Sequence, residues 1–352
     1  GAPSGAATSG LPQNHAAALP ARAPLTVTQL AAFLRHPVRT FFRERLGVVF
    51  DAAAEEGFDD EAFGLQGLEE HGVVRRMVDE VLADLAHQGI GIDNDGMDAS
   101  SAVDEPVAHA VSLRLAQLQR AGRLPLGGFA GRTQQQLQGV LLPLLQAWQA
   151  LQQCFPHKAP RTLLQCSSTS SVDGALSSTT VQMEDWLESL CHSADANPFA
   201  AWLELTPSRL LQKQERKAKD KGAVVRAEML LPVWVRSLAV AASGVVAPGM
   251  LVGRDATLHL PALDAEESRE QLAQLLQVWQ QGMEGPLPLA LRTGLALVQD
   301  SGKARQIYEG DAQREGENAD ACLARMYPDF EALSADGRLQ SLAQAVCAPL
   351  GE

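Results

Sequence analysis

This chain of 352 residues lacks most of the features that announce a function. Its five cysteines (Cys154, Cys166, Cys191, Cys322 and Cys347) never form a C-x-x-C pair. An odd, scattered count fits neither a disulfide framework nor a zinc site, and points to reduced thiols in a cytoplasm. Aromatics are only 5% of the residues, so a core must be built mostly from Leu, Val and Ala. No apolar run approaches the ~18 residues of a membrane-crossing helix, so no membrane association is expected. The first 25 residues lack a charged start followed by an apolar block, so no signal peptide is expected. The G-x-S-x-G elbow, the phosphate loop G-x-x-x-x-G-K-[ST], G-x-G-x-x-G and H-E-x-x-H are all missing. The eight histidines are isolated, and the adjacency of Cys191 and His192 does not make a dyad.

What the chain does have is uneven charge. The formal net charge is −13, but residues 51–110 alone hold 16 Asp and Glu against two Arg. The remainder is nearly neutral. Global acidity therefore says little against nucleic-acid contact, which follows local patches. One such patch is FLRHPVRTFFRERLGV (33–48), with four arginines and one glutamate.

Residues 1–24 are Ala, Pro, Gly and Ser without periodicity and read as a linker or leader cut from a longer protein. Thr26 and Gln29 have capping-box spacing ahead of a helix face of Leu30, Phe33 and Leu34. Pro37 ends that helix at His36 and suits the first turn of a second, whose stripe is Val38, Phe41, Phe42 and Leu46, with Gly47 closing it. Arg39 and Arg43 fall on the opposite face. Residues 51–62 read as an acidic loop, 65–85 as a helix, 89–106 as a polar loop, and 109–121 and 130–153 as helices, the last interrupted by Pro143. The sequence DNDG (93–96) does not make a calcium loop, because Ala102 stands where the bidentate Glu is required. From 161 the texture turns to Thr, Ser and Val, giving two or three strands by 183 and another over 200–208, stopped by Pro207. Residues 228–244 are apolar nearly all round, the mark of a buried helix. Residues 249–260 read as a hairpin and 264–285 as an amphipathic helix. The tail is helical, broken by a polar loop at 309–318. The class is α/β (α+β), with a small mixed sheet and flanking helices in one domain of about 25–352. Its parts are helical to about 155, sheet-containing to about 305, and helical to about 350.

That layout invites comparison with restriction-endonuclease-like PD-(D/E)XK nucleases. There, one strand supplies a carboxylate and the next supplies (D/E)-x-K on one face, so that two carboxylates hold Mg²⁺ beside a lysine. Here the first position reads Gly174-Ala175-Leu176-Ser177 and the second Glu204-Leu205-Thr206. One carboxylate remains; Ser177 and Thr206 replace the other ligand and the lysine. Such a site has too few anionic oxygens for a divalent cation, and no catalytic residue, metal or cofactor is expected. A register slip could bring in Asp173, but no lysine. The literal Glu215-Arg216-Lys217 lies in a charged run with no apolar partner and reads as surface.

Several stretches together resemble one family, the C-terminal domain of the exodeoxyribonuclease V gamma subunit, RecC. They are LTVTQLAAFLRHPVRTFFRERLGVVF (25–50), EAFGLQGLEEHGVV (61–74), LQRAGRLPLGGFA (118–130), LPVWVRSLAVAASG (231–244) and QIYEGDAQREGENADACLARMYPDF (306–330). The segments around 89–106 and 213–226 are longer than that family usually has. The resemblance implies a nuclease fold that has lost its active site and serves as a scaffold in a helicase–nuclease. Its implied partners are the beta and alpha subunits (RecB and RecD) and DNA near the fork, in recombinational repair of double-strand breaks. It makes Arg35, Arg39, Arg43 and Arg45, and the run Lys213, Arg216, Lys217, Lys219 and Lys221, candidates for DNA or subunit contact. A working metal-dependent nuclease with a displaced site, and a pure protein-interaction module, remain the alternatives.

Overall fold

In the computed structural model, the described residues are 23–50, 67–87, 99–124, 128–171, 178–212, 224–299, 302–311 and 314–350. Two short helices open the fold, α1 (Val27–Arg35) and α2 (Pro37–Arg45). The capping box forms: Thr26 Oγ1 accepts from the Gln29 N–H at 3.1 Å, and Gln29 Oε1 accepts from the Thr26 N–H at 2.9 Å. Pro37 takes the first turn of α2, where its missing N–H costs nothing. Gly47, at φ 64°, turns the chain away in the left-handed region. That turn corrects one expectation. Leu46 is 53% exposed rather than packed on the α2 stripe, because the backbone leaves the helix there.

Next come three long helices, α3 (Gly67–His87), α4 (Ala99–Arg120) and α5 (Gly128–Cys154). Helix α4 starts about ten residues earlier than the sequence suggests and carries Pro106 inside it. Proline removes one backbone hydrogen bond, but Val107, Ala110, Val111 and Leu115 of the same helix are buried among α3 and α5, which holds the following turns in place. The polar loop expected over 89–106 thus gives way to helix from Ala99.

The strands β1 (His157–Lys158), β2 (Thr162–Ser171), β3 (Ser178–Leu187), β4 (Leu190–His192) and β5 (Ala200–Leu205) follow. Helix α6 (Ala227–Ala242) then leads to β6 (Gly249–Val252) and β7 (Thr257–Leu260). The main sheet has the order β1-β4-β5-β6-β7. Only β5 and β6 run parallel, with α6 as their crossover. Strands β2 and β3 form a separate antiparallel pair, in register from Thr162 with Leu187 to Ser171 with Ser178. The expected first nuclease strand, 172–178, lies outside the described residues apart from Ser178, which opens β3. In the structure β5 is flanked by β4 and β6, and β3 spends its ladder on β2.

Strand period decides what β5 faces. Ala201 and Leu203 point toward Phe155 and the α5 side. Trp202, fully buried, points into the central core with α6. Gly249 on β6 must be glycine, because a Cβ there would lie 2.1 Å from the Trp202 ring. The chain ends in helices α7 (Ala265–Glu284), α8 (Leu291–Val298), α9 (Ala304–Glu309), α10 (Ala321–Met326), α11 (Phe330–Ser334) and α12 (Arg338–Cys347). Asp264 caps α7 by accepting from the Glu266 and Glu267 N–H groups. The helical block of α3 to α5 is tied to the sheet by Arg254 and Glu70, 2.6 Å apart and mostly buried. Among the described residues no helix is long and apolar enough to cross a membrane.

Candidate functional site

Glu204 is the penultimate residue of β5, on the face that Trp202 shares. Its carboxylate accepts from the Arg236 guanidinium of α6, which also stands 6.0 Å from the centre of the Trp202 ring. The cation next to this carboxylate is therefore a side chain that already belongs to the helix packed on the sheet. Thr206, where the nuclease pattern has lysine, donates its N–H to the Val252 carbonyl at 2.8 Å. Its hydroxyl accepts from the Ser208 N–H at 3.3 Å. Among the described residues no group of three His, Cys, Asp or Glu is arranged to hold a metal ion. Cys191 and His192 are successive on β4 and so point to opposite faces; burial pushes the Cys191 thiol up, away from thiolate chemistry. Ser177 and Asp173 lie outside the described residues. So do Lys213, Arg216, Lys217, Lys219 and Lys221, the acidic loop 51–62, and the DNDG stretch.

The four arginines of the opening helices separate. Among the described residues Arg43 pairs with its neighbour Glu44 alone, and both side chains are about half exposed. Arg45 is exposed and has no ion-pair partner among the described residues. Arg35 and Arg39 instead line a cleft of about 350 Å³. His36 lies between them, Glu228 comes from α6 and Arg292 from α8, and Glu317 and Asp320 come from the loop before α10. The cleft exists because helix ends converge. The link from α1 to α2 turns at His36 (φ −139°, ψ 67°), which leaves the helical region that Pro37 disfavours for the residue before it. Three further helices, α6, α8 and α10, begin beside it.

Two of the acids here cap helices. Asp320 caps α10 by accepting from the Cys322 and Leu323 N–H groups, and it also pairs with Arg39. Its carboxyl is held below the usual range by these bonds, against the opposing effect of burial. Glu317 accepts from the N–H groups of Arg292 and Thr293 and from the Thr293 hydroxyl, at 3.0, 2.7 and 2.7 Å, and so caps α8 from a distance. Burial pushes its carboxyl up. His36 is driven the other way, down to about 4, by burial first and then by Arg39 and Arg35. It is a neutral imidazole at physiological pH. Beneath the cleft the Tyr308 hydroxyl donates to the Tyr327 carbonyl, and the Tyr327 hydroxyl to the Pro286 carbonyl, which fixes the loop carrying Glu317 and Asp320.

Sequence reasoning missed His36, Arg292, Glu317 and Asp320 as members of one site. A signal was present, because 306–330 was among the stretches that carried the family resemblance. What no sequence pattern shows is that this stretch folds back onto residues 35–39.

An α/β domain with a small mixed sheet, a carboxylate paired with arginine near the end of β5 and a polar cleft among helix ends does not by itself define a family. The assignment becomes specific by comparison. A family model described as the RecC C-terminal domain matches residues 22–302, and the chain belongs to that family. Among curated proteins it is similar to the RecBCD enzyme subunit RecC of Escherichia coli (strain K12), at 24% identity over 329 residues. The match covers 88% of this chain and 24% of that protein, so the chain spans about a quarter of the relative's length.

Proposed function

We propose that this chain is a non-catalytic scaffold and DNA-guiding domain of an exodeoxyribonuclease V gamma subunit, working with the beta and alpha subunits in double-strand break repair. The observation that carries this reading is the state of position 204. A carboxylate meant for a metal ion would be left open to it and joined by a second carboxylate and a lysine. Glu204 is occupied by Arg236, and Thr206 spends its hydroxyl on the backbone. On this reading the core derives from a restriction-endonuclease-like fold whose chemistry has been replaced by packing. The domain contributes shape, subunit contact and a guiding surface for DNA near the fork.

The test is cleavage of linear single- and double-stranded DNA by the purified chain with Mg²⁺ or Mn²⁺. No cleavage above a heat-denatured control is expected. Cleavage that is lost in Glu204→Ala would establish the opposite reading, a metal-dependent nuclease.

A further inference from the structure

The cleft between α1, α2, α6, α8 and α10 has an electrostatic character that a simple count of its charges hides. Four carboxylates line it, Glu228, Glu315, Glu317 and Asp320. Three of them are committed. Asp320 serves α10 and Arg39, Glu317 serves the first turn of α8, and Glu228 sits in the first turn of α6, 3.9 Å from Arg226. The cations are less committed. Arg35 and Arg292 form no ion pair among the described residues, although the Arg292 charge is felt by Glu317, and the buried Nε of Arg35 has no acceptor. Helices α2 and α6 both start beside the cleft without a side-chain cap, and their N-terminal ends add some positive potential, reduced by Pro37, which has no N–H, and by the bond from the Met229 N–H to the Arg226 carbonyl. His36 reports the result. The groups facing it are Arg39 and Arg35, which lower its pKa, and Asp320 and Glu228, which raise it; after burial, the arginines dominate.

We propose that this cleft seats one phosphate group of a nucleic-acid strand, gripped by Arg35 and Arg292 with His36 beside it. The proposal rests on the reading of the chain as a DNA-guiding domain and names the place where a strand is held. Guanidinium groups suit phosphate because their N–H fork matches its oxygens. The volume of about 350 Å³ suits a single phosphate with its sugar rather than a duplex. Exposed Glu315 at the rim opposes a run of further phosphates, so the cleft takes one phosphate and not a track. A terminal monoester and an internal diester share this chemistry.

The test uses the full 352-residue chain. The His36 imidazole is titrated by NMR with and without inorganic phosphate. Binding of a fluorescent oligothymidylate, with a 5′-phosphate or a 5′-hydroxyl, is followed across salt concentrations. Phosphate should raise the His36 pKa by roughly one to three units, as a nearby anion does. Arg292→Met and Arg35→Met should each weaken oligonucleotide binding roughly tenfold, the scale of a charge-assisted hydrogen bond. Each should also flatten the logarithmic salt slope by about 0.7, one phosphate contact on a single strand. Arg132→Met, an exposed arginine of α5, should do neither. Arg292 is itself exposed, so its variant tests the idea even where Arg35→Met disturbs folding. Tighter binding of the phosphorylated strand would identify a strand end as the occupant; equal binding would identify an internal diester. Either supports the site. A His36 titration unmoved by saturating phosphate, or arginine variants indistinguishable from Arg132→Met, would overturn it while leaving DNA binding elsewhere intact. A chain that shifts His36 with inorganic phosphate yet binds no oligonucleotide would overturn the nucleic-acid assignment and the DNA-guiding reading together.

Discussion

Glu204 near the end of β5 and Arg35 at the end of α1 both carry a charge into a partly enclosed place, and the fold treats them differently. Glu204 meets Arg236 from the helix that covers its sheet. Arg35 meets Arg39, Arg292 and a histidine whose pKa has been pushed down to about 4. At the first place packing supplies the counter-charge, and no ligand is needed to complete it. At the second, Glu317 and Asp320 cap α8 and α10, and the Arg35 and Arg292 guanidinium groups line the cleft without forming an ion pair among the described residues. A charged residue indicates a binding site only after the fold's own demands on its neighbours have been met.

The comparison can be broken first at its foundation. Trp202 is fully buried beneath Glu204 and Arg236. Trp202→Ala should lower unfolding stability by about 3–5 kcal/mol in urea titrations, the usual cost of emptying so large a core site. Gly249→Ala should cost about 1–3 kcal/mol by overpacking, because its new Cβ meets the same ring.

A smaller effect sharpens the cleft side. His36 has a folded pKa of about 4 against 6.5 for the free side chain. Between those values the unfolded chain binds a proton that the folded chain refuses, so stability falls as pH is lowered through that window. His36→Gln should remove this component. Its unfolding midpoint should vary less between pH 6.5 and 4 than that of the parent, measured by denaturant melts at each pH.

The ion pair at β5 comes next. Glu204 and Arg236 are about a third exposed, so solvent screens them. A double-mutant cycle with Glu204→Gln and Arg236→Met should give a coupling of less than about 1 kcal/mol. A coupling of several kcal/mol would mean that this pair is a buried structural element. The smallest effect belongs to Arg43→Ala, which should change stability by no more than about 0.5 kcal/mol, since its partner is a half-exposed neighbour.

Much of the architecture was legible in the sequence because it rests on local signals. The Thr26–Gln29 box, Pro37, Gly47, the apolar α6 and the amphipathic α7 all follow from nearest-neighbour chemistry and periodicity. The extra turns of α4 were not legible, because Pro106 argues locally for a break and only the burial of Val107 and Val111 argues otherwise. Strands β1 and β4 have two and three residues, too few for any period to show. The parallel pairing of β5 with β6 across α6 is a tertiary choice that composition does not encode. Of the cleft, Arg35 and Arg39 could be named from the sequence. Arg292, Glu317 and Asp320 come from more than 250 residues away, and only the fold brings them there.

Anomalous diffraction from a crystal of this chain soaked in Mn²⁺ tests the central claim most directly. The account predicts no ordered ion within ~2.2 Å of a Glu204 oxygen, the distance a bound ion of this kind would keep, with the bond to Arg236 intact. An occupied site in which Glu204 and a second carboxylate both ligate the ion would contradict it.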